Sequence, residues 1–478
     1  MYLLKSFFFT NFYFKIQIDI FLYKLNFKYG KNYIIFLFIN TMLFMFVNLF
    51  FLEYLYMLQA FFIKKNKEKI IEGFKKRYYR ELEAMLSIIT KILYLLDDKR
   101  RIQLKLDVFF LISKKIYLQL YKKEKTIKQY HKYYDIKNYL NYIDSILSSI
   151  NKELLQFLLK IPNIPNKYVK KGYSSIDNEI IFKYGKIHLS KKLAHWDLFN
   201  QKELINCEVG TKISGSGFYI SKGKVARLHR ALIEYFIEFN LQKGYIEYTV
   251  PFLVKPFSAI ATGQLPDKEG QMYYLPQDNL YLISTGEISL INCYSNAILK
   301  ENKLPIKMTT YTTCFRREAG SYGASVRGLN RLHQFDKVEI IQITTPSEST
   351  FALQTMIQHV KELLISLKLP FRLLRLHGGD MGFTSAITYD FEVFSCAQKQ
   401  WLEVSSISNC TYYQANRLKL RYKKNNKEKT HICHTLNGSS IAIQRVLAVL
   451  LENYQKDKSI EIPETLIPYT GFKEIIFS

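Results

Sequence analysis

Between residues 64 and 160 the chain has no proline, and apolar residues recur at three- and four-residue spacing with charges between them. LEAMLSIITKILYLL (82–96) and YLNYIDSILSSINKELLQFLL (139–159) show the pattern most clearly and predict two long amphipathic helices. The polar stretch YKKEKTIKQYHKYYD (121–135) between them predicts a turn, giving an antiparallel helical hairpin. IPNIPN (161–166) ends it, because two closely spaced prolines forbid further helix. After residue 170 the pattern becomes mixed. An amphipathic helix at 226–242 precedes a short strand in YIEYTVPFLV (245–254); β-rich runs divided by glycine turns follow, then an apolar helix. The pattern predicts an α+β chain that begins with a helical arm.

The first sixty residues have a different texture. They are strongly apolar, Asp19 and Glu53 are their only acids, and 33–63 is long enough to span a bilayer. A membrane anchor and a removable targeting leader both fit this pattern.

Charge narrows the partners. Lys and Arg number 68 against 41 Asp and Glu, a net charge of +27 in 478 residues, far from the near-neutral balance of a metabolic enzyme. Such an excess favours a polyanion, nucleic acid ahead of membrane lipid. Residues 61–160 alone carry 23 Lys and Arg against 11 Asp and Glu, which suits an arm lying on a phosphate backbone. The six cysteines, Cys207, Cys293, Cys314, Cys396, Cys410 and Cys433, include no C-x-x-C pair and argue against a disulfide scaffold. His431, Cys433 and His434 lack a second ligand pair, so no structural zinc is expected.

Three stretches carry candidate chemistry. TTCFRREAG (312–320) leads into the glycine-rich AGSYGASVRG (319–328), and NRLHQFDKVEIIQI (330–343) returns. Arg316, Arg327, Arg331, Phe335 and Glu339 then gather at one hairpin, matching the phosphates, ring and exocyclic amine of a nucleotide. In HTLNGSSIAIQRVLAVLLENYQ (434–455), Arg445 has Ile441, Ala442, Ala448 and Val449 as helical neighbours, so its charge calls for an anionic partner such as a phosphate. In WLEVSSISNC (401–410), Glu403 follows an apolar run, with Ser405 and Ser406 beyond it; hard oxygen donors of this kind suit Mg²⁺ held mainly by phosphates.

Together these stretches resemble the bacterial-type seryl-tRNA synthetases, a family of class II aminoacyl-tRNA synthetases. The charged hairpin resembles the second class II motif and TLNGSSIAIQRVLAVLLENYQ the third, while GFYISKGKVARLHRALIEYFIEF through Pro251 resembles the first, which builds the family's dimer interface. ATGQLP, YLISTGEISLIN, GGDMGFTSAITYDFEVF and EVSSISNCTYYQANRLKLRY resemble serine-specific signatures; IPNIPN, DNEIIFKYGK and HWDL resemble the junction between arm and catalytic domain. The resemblance covers about 58–478 and implies that an antiparallel β-sheet flanked by helices follows the arm, with boundaries at 1–57, 58–165 and 166–478. It implies that Arg316 holds the ATP α-phosphate, Glu318 the adenine amine, Phe335 the ring and Arg445 the γ-phosphate, with Arg316 and Arg445 catalytic. Glu403 and Ser406 would hold Mg²⁺, and Thr285, Glu287, Arg331, Glu339, Asn437 and Ser439 would grip serine. The implied partners are tRNA(Ser), ATP, L-serine and a second copy of the chain. On so lysine- and asparagine-rich a sequence the leader suggests import into an apicoplast-type plastid, with the mitochondrion second; membrane contact would come only through a retained leader.

The family's usual T-A-E is Thr285-Gly286-Glu287 here, R-S-E is Arg316-Arg317-Glu318, N-G-S-G ends in Ser440, and Gln444 replaces a common glycine. No ligating side chain is lost. Two alternatives remain: an enzyme of this fold that activates an amino acid for another acceptor, and a non-catalytic tRNA-binding relative. The long arm disfavours the first, and retention of Arg316, Glu403 and Arg445 the second.

Overall fold

The computed structural model describes residues 63–478 except 78–81, 122–126, 188–191, 201–203, 268, 319–326, 426–427 and 477–478. The leader at 1–57 lies outside the described residues, as does most of the 33–63 run. Among the described residues no helix is long and apolar enough to cross a membrane.

The arm is built as the spacing predicts. Helices α2 (Leu82–Tyr121) and α3 (Ile127–Leu158) follow a short α1 (Lys67–Lys76). Met85, Ile89, Ile92 and Leu95 on α2 are buried, as are Leu140, Ile143, Leu147, Leu154 and Leu158 on α3. These intervals of three, four and seven residues make the narrow seam of a two-stranded coiled coil. The helices run antiparallel: Lys91 pairs with Glu153 at 3.1 Å near the base, and the Phe109 and Tyr139 rings meet at 4.6 Å further out. The connection between them falls at the start of the predicted turn. Just after α1, the Arg77 guanidinium donates to the carbonyl oxygens of Asn163, Met381, Gly382 and Ser385. A buried cation surrounded by acceptors in this way fastens the base of the arm to the second half.

That half is organised by an eight-stranded sheet: β1 (Glu179–Tyr184), β2 (Ile246–Glu247), β3 (Ile306–Phe315), β4 (Gln334–Thr344), β5 (Phe371–Arg375), β6 (Ile387–Ser395), β7 (Gln400–Thr411) and β8 (His434–Ala442). The spatial order is β1-β5-β6-β7-β8-β4-β3-β2, antiparallel throughout except for the β2–β3 pair. Helices α4 (Gly223–Gln242), α5 (Glu287–Asn292), α6 (Ser349–Ser366), α7 (Tyr413–Leu418) and α8 (Ile443–Asn453) surround it. Alternation along the strands sends Ile340 and Ile407 into the main core with Met356 and Val360 of α6. The neighbours of these residues along the strands face the opposite side, and that side carries the polar cavity. The expected α+β architecture, an arm plus an antiparallel sheet, is the one observed.

Candidate active site

Two bulges set the geometry of the cavity face. Opposite β6, Phe391 pairs with Ser405 but Glu392 pairs with Glu403, so Val404 is an extra residue on β7. The added residue lets Glu403 and Ser406, three apart, line the same cavity, which regular alternation would forbid. Glu403 therefore lies within a bulged strand rather than after one, which corrects the sequence expectation. On β8, Val338 pairs with Ile441 and Glu339 with Ser439, leaving Ser440 as the extra residue. Ser440 turns away and donates to Asn240 Oδ1 at 3.1 Å, while Asn437 and Ser439 face the cavity.

The cavity, about 500 Å³, brings together Thr285, Glu287, Arg316, Glu339, Glu403, Ser406, Asn437 and Ser439. At one end the carboxylates are held by neighbouring polar groups. Thr285 Oγ1 donates to Glu339 Oε1 at 2.6 Å, and Lys337 forms an ion pair with the same carboxylate. Lys337 Nζ also donates to Thr285 Oγ1 at 3.1 Å. Glu287 Oε1 accepts from Gln414 Nε2 at 2.6 Å and from the Asn437 amide. Burial pushes the Glu287 carboxyl above its ordinary value, against the lowering effect of those two amides. Gly286 makes this packing possible: a Cβ there would lie 2.8 Å from Thr312 Oγ1 and 3.2 Å from Glu339 Cγ.

The other end is cationic. Arg316 stacks over the Phe335 ring at 5.1 Å, and its Nε lies 3.4 Å from the Ser284 carbonyl oxygen. Arg445 donates from Nε to the Asn330 carbonyl at 3.1 Å and from Nη1 to the Glu403 carbonyl at 2.7 Å. Its Nη1 lies 3.7 Å from Glu403 Oε2, and the side chain is one-third exposed. The anionic partner expected for Arg445 is thus supplied partly by the protein and partly by a face open to a ligand. Phe335, Arg445, Glu318 and Arg331 do not line the cavity itself: Phe335 and Arg445 stand behind Arg316 and Glu403, which do, while Glu318 and Arg331 form an ion pair with each other at the hairpin base. Glu318 takes a left-handed backbone (φ 48°), a conformation that costs a non-glycine residue energy. Gly320 and Gly323 of the hairpin loop lie outside the described residues.

Glu403 and Ser406 offer a carboxylate and a hydroxyl of the hard-oxygen type that Mg²⁺ takes. Beside them Asp390 is half-buried, and its buried Oδ1 lacks a hydrogen-bond partner. Burial and then the nearby Glu403 charge push the Asp390 carboxyl well above its ordinary range. An orphaned buried oxygen next to two such donors fits a divalent cation. Among the described residues no group of three or more His, Cys, Asp or Glu side chains is arranged as a metal site.

An antiparallel sheet bearing an arginine–phenylalanine clamp on one strand pair and an arginine-bearing helix after another defines a class II aminoacyl-tRNA synthetase core. The profile of the tRNA synthetase class II core domain (G, H, P, S and T) matches residues 273–454. A serine–tRNA ligase of Thermodesulfovibrio yellowstonii is 39% identical over 88% of this chain and its own entire length. One from Salinibacter ruber is 46% identical over 67% of this chain and 76% of its own. Among solved structures, the seryl-tRNA synthetase of Pyrococcus horikoshii complexed with ATP superposes with a TM-score of 0.80 at 30% identity, covering 87% of this chain and 99% of that one. The chain belongs to the serine–tRNA ligase family.

Lys337, Gln414 and Asp390 were not singled out from the sequence. Lys337 carried a usable signal: it stands two residues before Glu339 on a strand and so shares its face. Gln414 and Asp390 lie inside the stretches EVSSISNCTYYQANRLKLRY and GGDMGFTSAITYDFEVF, but only tertiary packing shows which residue of each stretch reaches the site.

Proposed function

We propose that the protein charges tRNA(Ser) with serine in two steps within this cavity. The serine carboxylate attacks the ATP α-phosphorus in line and pyrophosphate leaves; a terminal ribose hydroxyl of the tRNA then attacks the seryl-adenylate carbonyl, losing its proton as the carbonyl–phosphate bond breaks and AMP leaves. No side-chain nucleophile is needed, so catalysis is positioning and charge neutralisation. Arg316 meets the α-phosphate with Phe335 beneath it against the adenine, and Arg445 meets the γ-phosphate. Glu318 takes the adenine amine. Glu403 and Ser406 would hold Mg²⁺, which when bound offsets charge on the phosphates. Thr285, Glu287, Glu339, Asn437 and Ser439 bind serine, and Arg331 joins them by exchanging its Glu318 partner for substrate. Alanine is rejected because polar groups built to bond a hydroxyl would be left unpaired.

The observation that carries this reading is the convergence of eight motif residues, drawn from separate strands and helices, on one cavity. Replacing Arg316 by Ala should abolish serine-dependent pyrophosphate exchange while leaving thermal unfolding intact; unchanged exchange in the folded variant would refute the ATP assignment.

Two finer readings accompany it. The protein works as a homodimer through the segment around α4, for which light scattering of the purified protein is the check. Residues 1–57 direct import into an apicoplast-type plastid, with the mitochondrion as alternative. Their poverty in acids and the alignment of a whole relative within 88% of this chain support that reading. Imaging a fluorescent fusion and sequencing the mature N-terminus test it.

A further inference from the structure

The hairpin that supplies Arg316 and Glu318 returns through residues 327–331, where a second stretch, His195-Trp196-Asp197, meets it residue by residue. The His195 side chain is fully buried. Its Nε2 accepts the Leu329 N–H at 2.8 Å, and its Nδ1 lies 2.7 Å from Glu452 Oε1. Because a backbone N–H can only donate, Nε2 must carry the lone pair and Nδ1 the proton, which fixes a neutral ring in one tautomer. Glu452, on α8, is itself held by His195 N at 3.1 Å, Gln398 Nε2 at 2.9 Å and Ser395 Oγ. The hairpin backbone crosses close over this ring. Gly328 takes φ +65°, and a Cβ there would lie 2.2 Å from His195 Nε2. The Arg327 guanidinium covers the Trp196 ring at 5.3 Å, and its Nη2 lies 3.8 Å from Asp197 Oδ1.

What these contacts hold is connected to the nucleotide-binding groups. The Asn330 carbonyl accepts from Arg445 Nε, and its side chain donates to Gln398 Oε1 at 2.8 Å. Arg331, the next residue, pairs with Glu318. We propose that His195–Asp197 is a positioning latch for the ATP half of the site: by fixing residues 327–330 it sets both the Arg331–Glu318 pair and the carbonyl that orients Arg445. None of the three residues lines the cavity. They act through the hairpin, and of the assigned serine-binding groups only Arg331 is connected to the latch; those on β4, β8 and α5 are not.

The two ends of the imidazole can be tested separately. Asn at 195 places an amide donor near the Nδ1 position and keeps the Glu452 contact while losing Leu329. Gln reaches the Nε2 position and keeps an acceptor for Leu329 while losing Glu452. A merely structural histidine would be harmed by both changes alike. In serine-dependent pyrophosphate exchange, His195→Asn should raise the ATP KM about tenfold with the serine KM moved less than about threefold, that smaller change coming through Arg331, and His195→Gln should restore the ATP KM to within about threefold of wild type. Equal loss in the two variants, a parallel rise in both KM values, or an unimpaired Asn variant would overturn the latch. If neither variant folds, Arg327→Ala decides, because that side chain is 60% exposed. Its ATP KM should rise about two- to fourfold, and an unchanged value overturns the proposal. The inference rests on the ATP assignment above: wild-type enzyme without serine-dependent exchange would sink that assignment, whereas wild-type exchange with equal Asn and Gln losses sinks the latch alone.

Discussion

The arm and the sheet solve opposite problems. On the arm one narrow seam is buried and the rest faces solvent, including large side chains such as Leu104, Leu111, Tyr134 and Tyr142, each more than half exposed. In the sheet even charged groups are enclosed, with Glu339 and Glu287 at 2% and 7% exposure. A surface of lysines and tyrosines on a rigid rod suits a long, charged, sequence-tolerant partner, since phosphate attraction and stacking ask little of individual positions. An enclosed network suits a small ligand, where one misplaced donor decides between substrates. On the proposed function, recognition of the large substrate would be spread over many weak contacts, and recognition of the small ones concentrated in a few strong ones.

Salt should separate the halves most strongly. If the arm neutralises about six phosphates, tRNA affinity should fall on the order of 1000-fold between 50 and 200 mM salt. Pyrophosphate exchange, which depends on enclosed groups, should change far less over the same range. Matched titrations by filter binding and exchange give both numbers; a flat tRNA affinity would remove the arm's electrostatic role.

A smaller effect is expected from Glu339→Ala. It strips Lys337 of its partner and Thr285 Oγ1 of its acceptor, so kcat/KM for serine should drop about 100-fold, largely through KM. The ATP KM and tRNA affinity should hardly move. Equal losses for serine and ATP would make Glu339 scaffold rather than ligand.

How much of this could be read in the sequence follows the same division. Thr285, Glu287, Arg316, Glu339, Glu403, Ser406, Asn437 and Ser439 were legible because compact sites keep their residues in short motifs with fixed spacing. The bulges at Val404 and Ser440 were not legible, since a strand's pairing partner fixes its register and local pattern does not. The departures find their reasons only in three dimensions. Gln444 donates from Nε2 to Asp336 Oδ2 at 2.9 Å and to Tyr219 OH at 3.2 Å, and its Oε1 accepts the Asp336 N–H at 2.8 Å. The pairing of Arg331 with Glu318 was equally hidden, because the two flank a loop whose closure no spacing rule gives. For the arm, periodicity sufficed to predict both helices, but nothing marked Arg77 as the plug at its base.

The smallest expected effect concerns acid stability of the sheet half. Burial, then the nearby Lys243 charge, lowers His359 from 6.5 to about 4, and burial lowers His434 likewise to about 4. A histidine kept neutral in the fold binds fewer protons than the unfolded chain, so its contribution is fully present above about pH 6.5 and is lost as pH falls toward 4. At pH 5 each should cost about 2 kcal/mol of stability. Urea unfolding of His359→Gln should therefore show a shallower loss between pH 6.5 and 4 than the wild type; an identical slope would contradict the assignment.

The division of labour itself is tested most directly by removing 82–158, joining the ends with a short flexible linker and leaving α1 with its Arg77 plug in place. Serine-dependent pyrophosphate exchange and tRNA charging are then measured on the same preparation. Exchange should stay within about threefold of the intact enzyme, because every assigned ATP and serine ligand lies in the sheet half. Charging should fall by about 100-fold or more, with the loss in tRNA binding. An arm-less enzyme that charges tRNA at the intact rate, or one that loses exchange as deeply as charging while still folded, would contradict the account.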